Sequence, residues 1–282
     1  MNSFVSTVFY GLAASLFWGS GDFSGGLASR RARATSVVLA GYAVGFVFLA
    51  ALAIVFREPF PHPSDFLWGA LSGLTGVAGL VAFYTALASG KMGIAAPLAA
   101  LLTAGLPVLF SIFTNGLPAP LQLGGFALAL VAIILIARPE RGGLAGGASR
   151  AIGLALVAGF GFGLFFIFIS RVSPATTFGS LAIARFTSVA SLFALQVIRR
   201  RPLNPGMAVA PLVALAGGLD ALGNVFFLLA AHSGRLDIAA IVSSLYPAAT
   251  VLLAALILRE RVQRAQAVGI LLALVAIPLI SV

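Results

Sequence analysis

The chain has 282 residues, 61% of them hydrophobic and only 9% charged, with a net charge of +10 and no cysteine, and its mean hydropathy is +1.12. A soluble domain carries roughly a quarter charged residues, so this chain cannot cover a water-facing surface and reads as a polytopic helical membrane protein. The missing cysteines exclude disulfides, iron–sulfur clusters and thiol nucleophiles, and the arginines sit in short clusters between apolar runs, which reads as membrane topology rather than nucleic-acid binding.

Apolar runs of about 20 residues, enough to cross a hydrocarbon core of about 30 Å, recur from end to end. Ten spans are predicted, at 6–28, 36–56, 66–89, 92–114, 119–138, 150–170, 178–198, 209–232, 235–258 and 264–281. The N-terminus, MNSFVSTVF, has no basic leader, and the first span is expected to be retained rather than cleaved. It contains FWGSGDFSGG, where Trp18 is a possible wall for a ligand and Asp22 lies among glycines that thin the helix for close approach. In the third span Trp68 reads as an interfacial anchor, and Tyr84 offers a ring and a hydroxyl. Pro97 and Pro107 each free a backbone carbonyl in the fourth. The longest and most glycine-rich break, around 138–150, divides the chain into units 1–140 and 141–282. The seventh span carries Arg185 in LAIARFTSV. The eighth carries Asp220 in LAGGLDALGNVFF, with Asn224 one helical turn further on the same face. In the ninth, Ser243, Ser244 and Tyr246 precede Pro247, which frees a backbone carbonyl. His62 and His232 lie at loop edges and read as solvated; the 23 phenylalanines read mostly as lipid-facing bulk.

The two units echo each other. FYTALASGKMGIAA at 83–96 aligns without a gap with FLLAAHSGRLDIAA at 227–240, and the same offset sets LQLGGFALALVAI (121–133) against AQAVGILLALVAI (265–277). GLAASLFWGSGDF at 11–23 echoes GLALVAGFGFGLFF at 153–166. Five spans per repeat is an odd number, so the second copy enters the membrane from the opposite face. The expected fold is an all-α integral membrane protein, ten transmembrane helices arranged as two five-helix inverted repeats, with a site near the midplane between them.

The five-plus-five plan, the Trp18-Gly19 pair in the first span and the repeated ALxxGxxxxAA pattern resemble the EamA-type transporters of the drug/metabolite transporter superfamily. The resemblance implies a ten-helix basket around a central cavity that moves amino acids or other small metabolites, often outward. It also implies a glutamate after the fourth span, where NGLPAP stands instead. The counterpart after the ninth span is present in LRERV as Glu260.

Basic residues count by side. The odd-to-even connections hold Arg30, Arg31, Arg33, Lys91, Arg138, Arg141, Arg150, Arg199, Arg200, Arg201, Arg259, Arg261 and Arg264; the even-to-odd connections hold only Arg57, Arg171 and Arg235. Positive charge stays on the cytoplasmic side, so both termini are expected outside, opposite to the orientation usual in the family.

A charge in the bilayer core costs about 2.5–3.5 kcal/mol on insertion scales and so faces a cavity or a partner. Asp22, Arg185 and Asp220 are the three such groups, and two readings stand. In one, Arg185 holds a substrate carboxylate while Asp220 or Asp22 takes an amine or a coupling proton. In the other, Arg185 forms a structural pair with Asp220 or Asp22, or Asp22 snorkels toward the nearby arginines. The candidate substrate-binding set is Asp220, Asn224, Arg185, Asp22, Trp18, Tyr84 and Tyr246. Two distant histidines and no cysteine make no metal site, no Walker loop is present, and the GxG of span 1 follows no strand, so no cofactor and no enzymatic activity are expected. The function expected is secondary active transport, export of small metabolites or amino-acid-like solutes by alternating access, with a proton as a candidate coupling ion. A membrane-embedded lipid-handling enzyme, or a channel-like subunit, is the alternative. Expected partners are a small-molecule substrate and membrane lipid, not nucleic acid. The expected setting is the inner membrane, multi-pass, as a monomer or homodimer.

Overall fold

The computed structural model describes residues 3–88, 92–136, 148–259 and 262–280; the side chains of residues 3, 84, 87, 88, 92–97 and 148–151 fall outside that description. Among the described residues every regular element is a helix: α1 (Ser3–Ser29), α2 (Ala34–Val55), α3 (Pro63–Ala88), α4 (Met92–Asn115), α5 (Pro120–Ile136), α6 (Ala148–Ile169), α7 (Thr177–Ile198), α8 (Ala210–Ser233), α9 (Leu236–Ser243), α10 (Tyr246–Ile257) and α11 (Arg264–Ile280). Short 3-10 turns at Pro174–Thr176 and Met207–Val209 lead into α7 and α8.

Two of these helices are one expected span. Ser244 and Leu245 separate α9 from α10, and Tyr246-Pro247 opens the second piece. Proline has no N–H to bond four residues back, and its ring collides with the carbonyl there. The chain instead closes with tighter bonds, from Leu245 N–H to the Val242 carbonyl at 3.2 Å and from Ala248 N–H to the Leu245 carbonyl at 2.9 Å. Pro97 and Pro107, by contrast, leave α4 one continuous helix.

Seven segments are long and apolar enough to cross a membrane: 34–55, 63–83, 98–115, 152–169, 174–198, 207–233 and 236–257. The expected ten are therefore not all of one kind. The helices α5 and α11 are apolar but 17 residues long, about 26 Å at 1.5 Å per residue. The 27-residue α1 is diluted by serines, glycines and Asp22.

Helix packing repeats between the units. α1 lies along α8, and its counterpart α6 lies along α3; α2 packs on both α7 and α8, and α7 on both α2 and α3; α5 pairs with α11. The glycines show the same register. A Cβ on Gly217 of α8 would strike the Gly41 carbonyl of α2, and a Cβ on Gly73 of α3 would strike the Ala184 carbonyl of α7. Gly217 is 144 residues after Gly73, the offset of the sequence echoes. Only a residue without a side chain lets these backbones approach so closely. Following the contacts from helix to helix, α1 runs against α8, α8 with α2, α2 against α7, α7 with α3, and α3 against α6. Thus α1 and α6, the first helices of the two units, run in opposite senses.

The ends repeat as well. α2 and α7 both stop in a Schellman-type cap, with Glu58 N–H on the Ala53 carbonyl at 3.0 Å and Arg201 N–H on the Gln196 carbonyl at 2.8 Å. Glycine usually takes the left-handed position of such a cap. Here arginine does, Arg57 at φ 53° and Arg200 at φ 48°, at a cost of about 1 kcal/mol each.

Candidate functional site

A central chamber opens where α1, α2, α3, α4, α6, α7 and α8 converge on the α9–α10 break. Trp18, Asp22, Arg185, Asp220, Asn224 and Tyr246, scattered over 228 positions of sequence, all line it. The backbone of Tyr84 belongs to α3, but its side chain lies outside the described part, as does Glu260.

Arg185 is buried, 6% exposed, and its Nη2 donates to Asp220 Oδ2, an ion pair between neighbouring helices α7 and α8. Its guanidinium carbon lies 4.2 Å from the centre of the Tyr42 ring, in reach of a cation–π attraction. Asn224 sits one turn beyond Asp220, and its Nδ2 donates to the Asp220 carbonyl. The arginine is thus engaged on one side by a carboxylate and on the other by a ring. This is the structural pair foreseen as one of two readings, and it leaves the acids unequal. Among the described residues Asp22 makes no ion pair or hydrogen bond. It does not snorkel to the arginines beyond α1, as expected in one reading, but borders the chamber. Gly21 beside it brings α1 against the backbone of α8 at Asp220.

A second hollow, of about 400 Å³, shares Asp22, Tyr42, Leu80 and Asp220 with the first. It lies on the side of the N-terminal turns of α2 and α8, between Val37 and Ala216. That face carries Arg30, Arg31, Arg33 and Arg199 to Arg201. Away from it, the chamber ends in stacked rings: Trp18 on Phe166 at 5.4 Å and Phe166 on Phe227 at 4.2 Å. Phe166 and Phe227 are buried, so these phenylalanines are chamber and core, not the lipid-facing bulk expected.

Beyond the rings, two acids and an arginine held by a third acid tie the two units together. Glu58 accepts from the N–H groups of Phe178 and Gly179, at 3.0 and 2.8 Å, at the start of α7. Asp65 accepts from Ser173 N–H at 2.9 Å and from the Thr176 hydroxyl at 3.0 Å. Asp237 holds Arg235 at 2.8 Å, and Arg235 donates to the Gly116 carbonyl at 2.8 Å, past the end of α4. A carboxylate at a helix N-terminus meets unsatisfied N–H groups and the positive end of the dipole, and such charged bonds are about twice as strong as neutral ones. On the arginine-rich face the described bonds between units are neutral: Ser36 to the Pro202 carbonyl at 2.6 Å and Thr35 to Gln196 at 3.2 Å.

Tyr42 and this set of acids were not foreseen as functional. A tyrosine between Gly41 and Gly45 in an otherwise apolar run was a signal for the first. The acids carry no such signal, since sequence spacing does not show what they meet, and only packing shows that they act between the units. His232, expected to be solvated, has both ring nitrogens buried; His62 is exposed. Trp68 packs against the Phe168 ring at 5.8 Å.

Among the curated proteins compared, none matches this sequence. One crystal structure, described only as that of a protein, has a TM-score of 0.72 with 20% sequence identity, covering 98% of this chain and 96% of that one. At that identity the likeness is one of fold. The model of the EamA-like transporter family matches twice, over residues 5–138 and 149–282. Two matches that together take in nearly the whole chain place it plainly: this multi-pass membrane protein belongs to the EamA-like transporter family.

Proposed function

We propose that the protein is a secondary active transporter that exports a small organic solute, with residues 1–140 and 141–282 as two five-span inverted repeats rocking about the chamber. In this reading α9 and α10 form one broken span, and α1, α5 and α11 complete the ten. One observation carries the reading. A carboxylate with no partner among the described residues, Asp22, stands in a chamber between the repeats that reaches toward one face and is closed by rings and ionic ties toward the other. Equivalent halves that exchange these roles give alternating access. The positive-inside rule puts the arginine-rich face in the cytoplasm and both termini outside, in an inner membrane. A chamber loaded from the cytoplasm is the resting state of an exporter. The engaged Arg185–Asp220 pair holds the helices, and Asp22 takes a proton and a substrate in turn, which couples export to the proton gradient.

Proteoliposomes test this. Right-side-out transport of metabolites from a cell extract is expected to be driven by an imposed pH gradient and abolished by Asp22→Asn. Transport that ignores the gradient, or survives that substitution, overturns the mechanism. Conduction without saturation favours the channel-like alternative.

A further inference from the structure

The repeat makes the charges in the chamber informative by where they are missing. Each charged or amide group has a counterpart position in the other unit. Asp220 and Asn224 answer to Gly76 and Leu80, 144 residues earlier; Arg185, one residue after Ala184, answers to Tyr42, one after Gly41; Asp22 answers in packing to Phe166, since Gly21 lies by Asp220 as Phe165 lies by Gly76. All of these positions line the same chamber. The chamber therefore has one polar wall and, related to it by the repeat, one aromatic and aliphatic wall. An architecture of two similar halves holds two dissimilar surfaces.

The polar wall is itself unequal. Arg185 is the one cation among the described lining residues, and it is committed to Asp220 and to the Tyr42 ring. A substrate carboxylate would have to displace Asp220 from a guanidinium that is 6% exposed. Asp22 is committed to nothing described. Around it stand Trp18, Tyr246 and the Phe166 ring stacked on Trp18 at 5.4 Å. With all three groups ionised, Asp22, Arg185 and Asp220 leave one negative charge in excess. A carboxylate among ring faces attracts a cation on both counts, by charge and by the ring quadrupoles.

Resting on the transporter reading above, we infer that the substrates are amphipathic organic cations, an amine on an aromatic or branched apolar body without a free carboxylate. The amine meets Asp22, and the body lies against the wall of Phe162, Phe165 and Leu80. This narrows the amino-acid-like solutes that the family resemblance suggested, because the group that would take their carboxylate is occupied.

Three compounds with one body and three charges decide it: 2-phenylethylamine, phenylalanine and 3-phenylpropionate. The chain has two tryptophans, so Trp68→Phe leaves Trp18, in the chamber wall, as the sole indole reporter. In protein reconstituted into nanodiscs with no gradient, the amine is expected to change Trp18 emission saturably. Its apparent affinity should exceed those of the zwitterion and the acid by at least about tenfold. Asp22→Asn should lose most of that preference and Asp22→Glu should keep it; the comparison with Asp22 in place needs only the conservative Trp68→Phe reporter to fold. Equal or tighter binding of phenylalanine or phenylpropionate, no saturable response to the amine, or full amine selectivity in a folded Asp22→Asn protein would each overturn the inference. The binding assay contains no gradient and measures no flux. Selective binding without transport in proteoliposomes sinks the transporter reading alone, and transport of an anion or zwitterion sinks the substrate class alone.

Discussion

Replacing Asp220 by asparagine separates the structural acid from the free one. The substitution keeps the shape and removes the charge that pairs with Arg185. Removing one partner of a buried ion pair costs about 3–5 kcal/mol, because the other charge is left without compensation. Two features of the structure reduce this. The Asp220 side chain is 33% exposed to the chamber, where water screens the pair. The Tyr42 ring still faces the guanidinium at 4.2 Å, worth about 1 kcal/mol. The expected loss is about 2 kcal/mol, which in a chain of this size lowers the melting temperature by about 4–8 °C. Asp22→Asn, which breaks no described bond, should melt within about 2 °C of the parent. Adding Arg185→Gln to Asp220→Asn removes the uncompensated charge and should recover at least half of the loss, a coupling that a double-mutant cycle reads directly. Thermal unfolding of detergent-purified protein measures all four variants. The reasoning fails if Asp220→Asn melts like the parent while Asp22→Asn does not, or if Arg185→Gln makes Asp220→Asn worse.

Further outcomes follow from the same contacts. Gly73→Leu and Gly217→Leu each drive a side chain into a neighbouring backbone carbonyl; each should cost at least about 2 kcal/mol and sharply reduce folded yield, whereas Gly26→Leu, with open space around it, should not. Combining Glu58→Gln with Asp65→Asn weakens the ties between the units on the face away from the arginine clusters. In a chain without cysteines, a single Ser188→Cys in the chamber wall should then react several-fold faster with a maleimide applied from that face, and an unchanged rate would remove these acids from gating. A C-terminal reporter active only in the cytoplasm should be silent in cells, and strong activity would reverse the orientation.

What was legible in the sequence rests on forces that act along the chain. Hydrophobic length and the scarcity of charge make a membrane protein wherever the helices end up, and a repeat survives as letters in LALVAI at Leu128–Ile133 and Leu272–Ile277. Pro247 has a local steric consequence, so the break in the ninth span was visible beforehand. Pro107 looked equivalent, yet α4 runs through it unbroken. The sequence also marked Asp22, Arg185 and Asp220 as unable to face lipid, because the cost of an unpaired charge in hydrocarbon depends on the residue alone.

Their division of labour needed the tertiary structure. Which of two aspartates takes the arginine is settled by which helix comes within reach of α7: α8 does, held on α2 where Gly217 meets the Gly41 backbone, and α2 packs on α7. The same packing places Tyr42 over the guanidinium and leaves Asp22 alone among rings. It also sets Glu58 and Asp65, and Asp237 through Arg235, as ties between the units. Pairing is a property of distance between groups remote in the chain, and sequence spacing carries no such distance once five helices have folded back on five others.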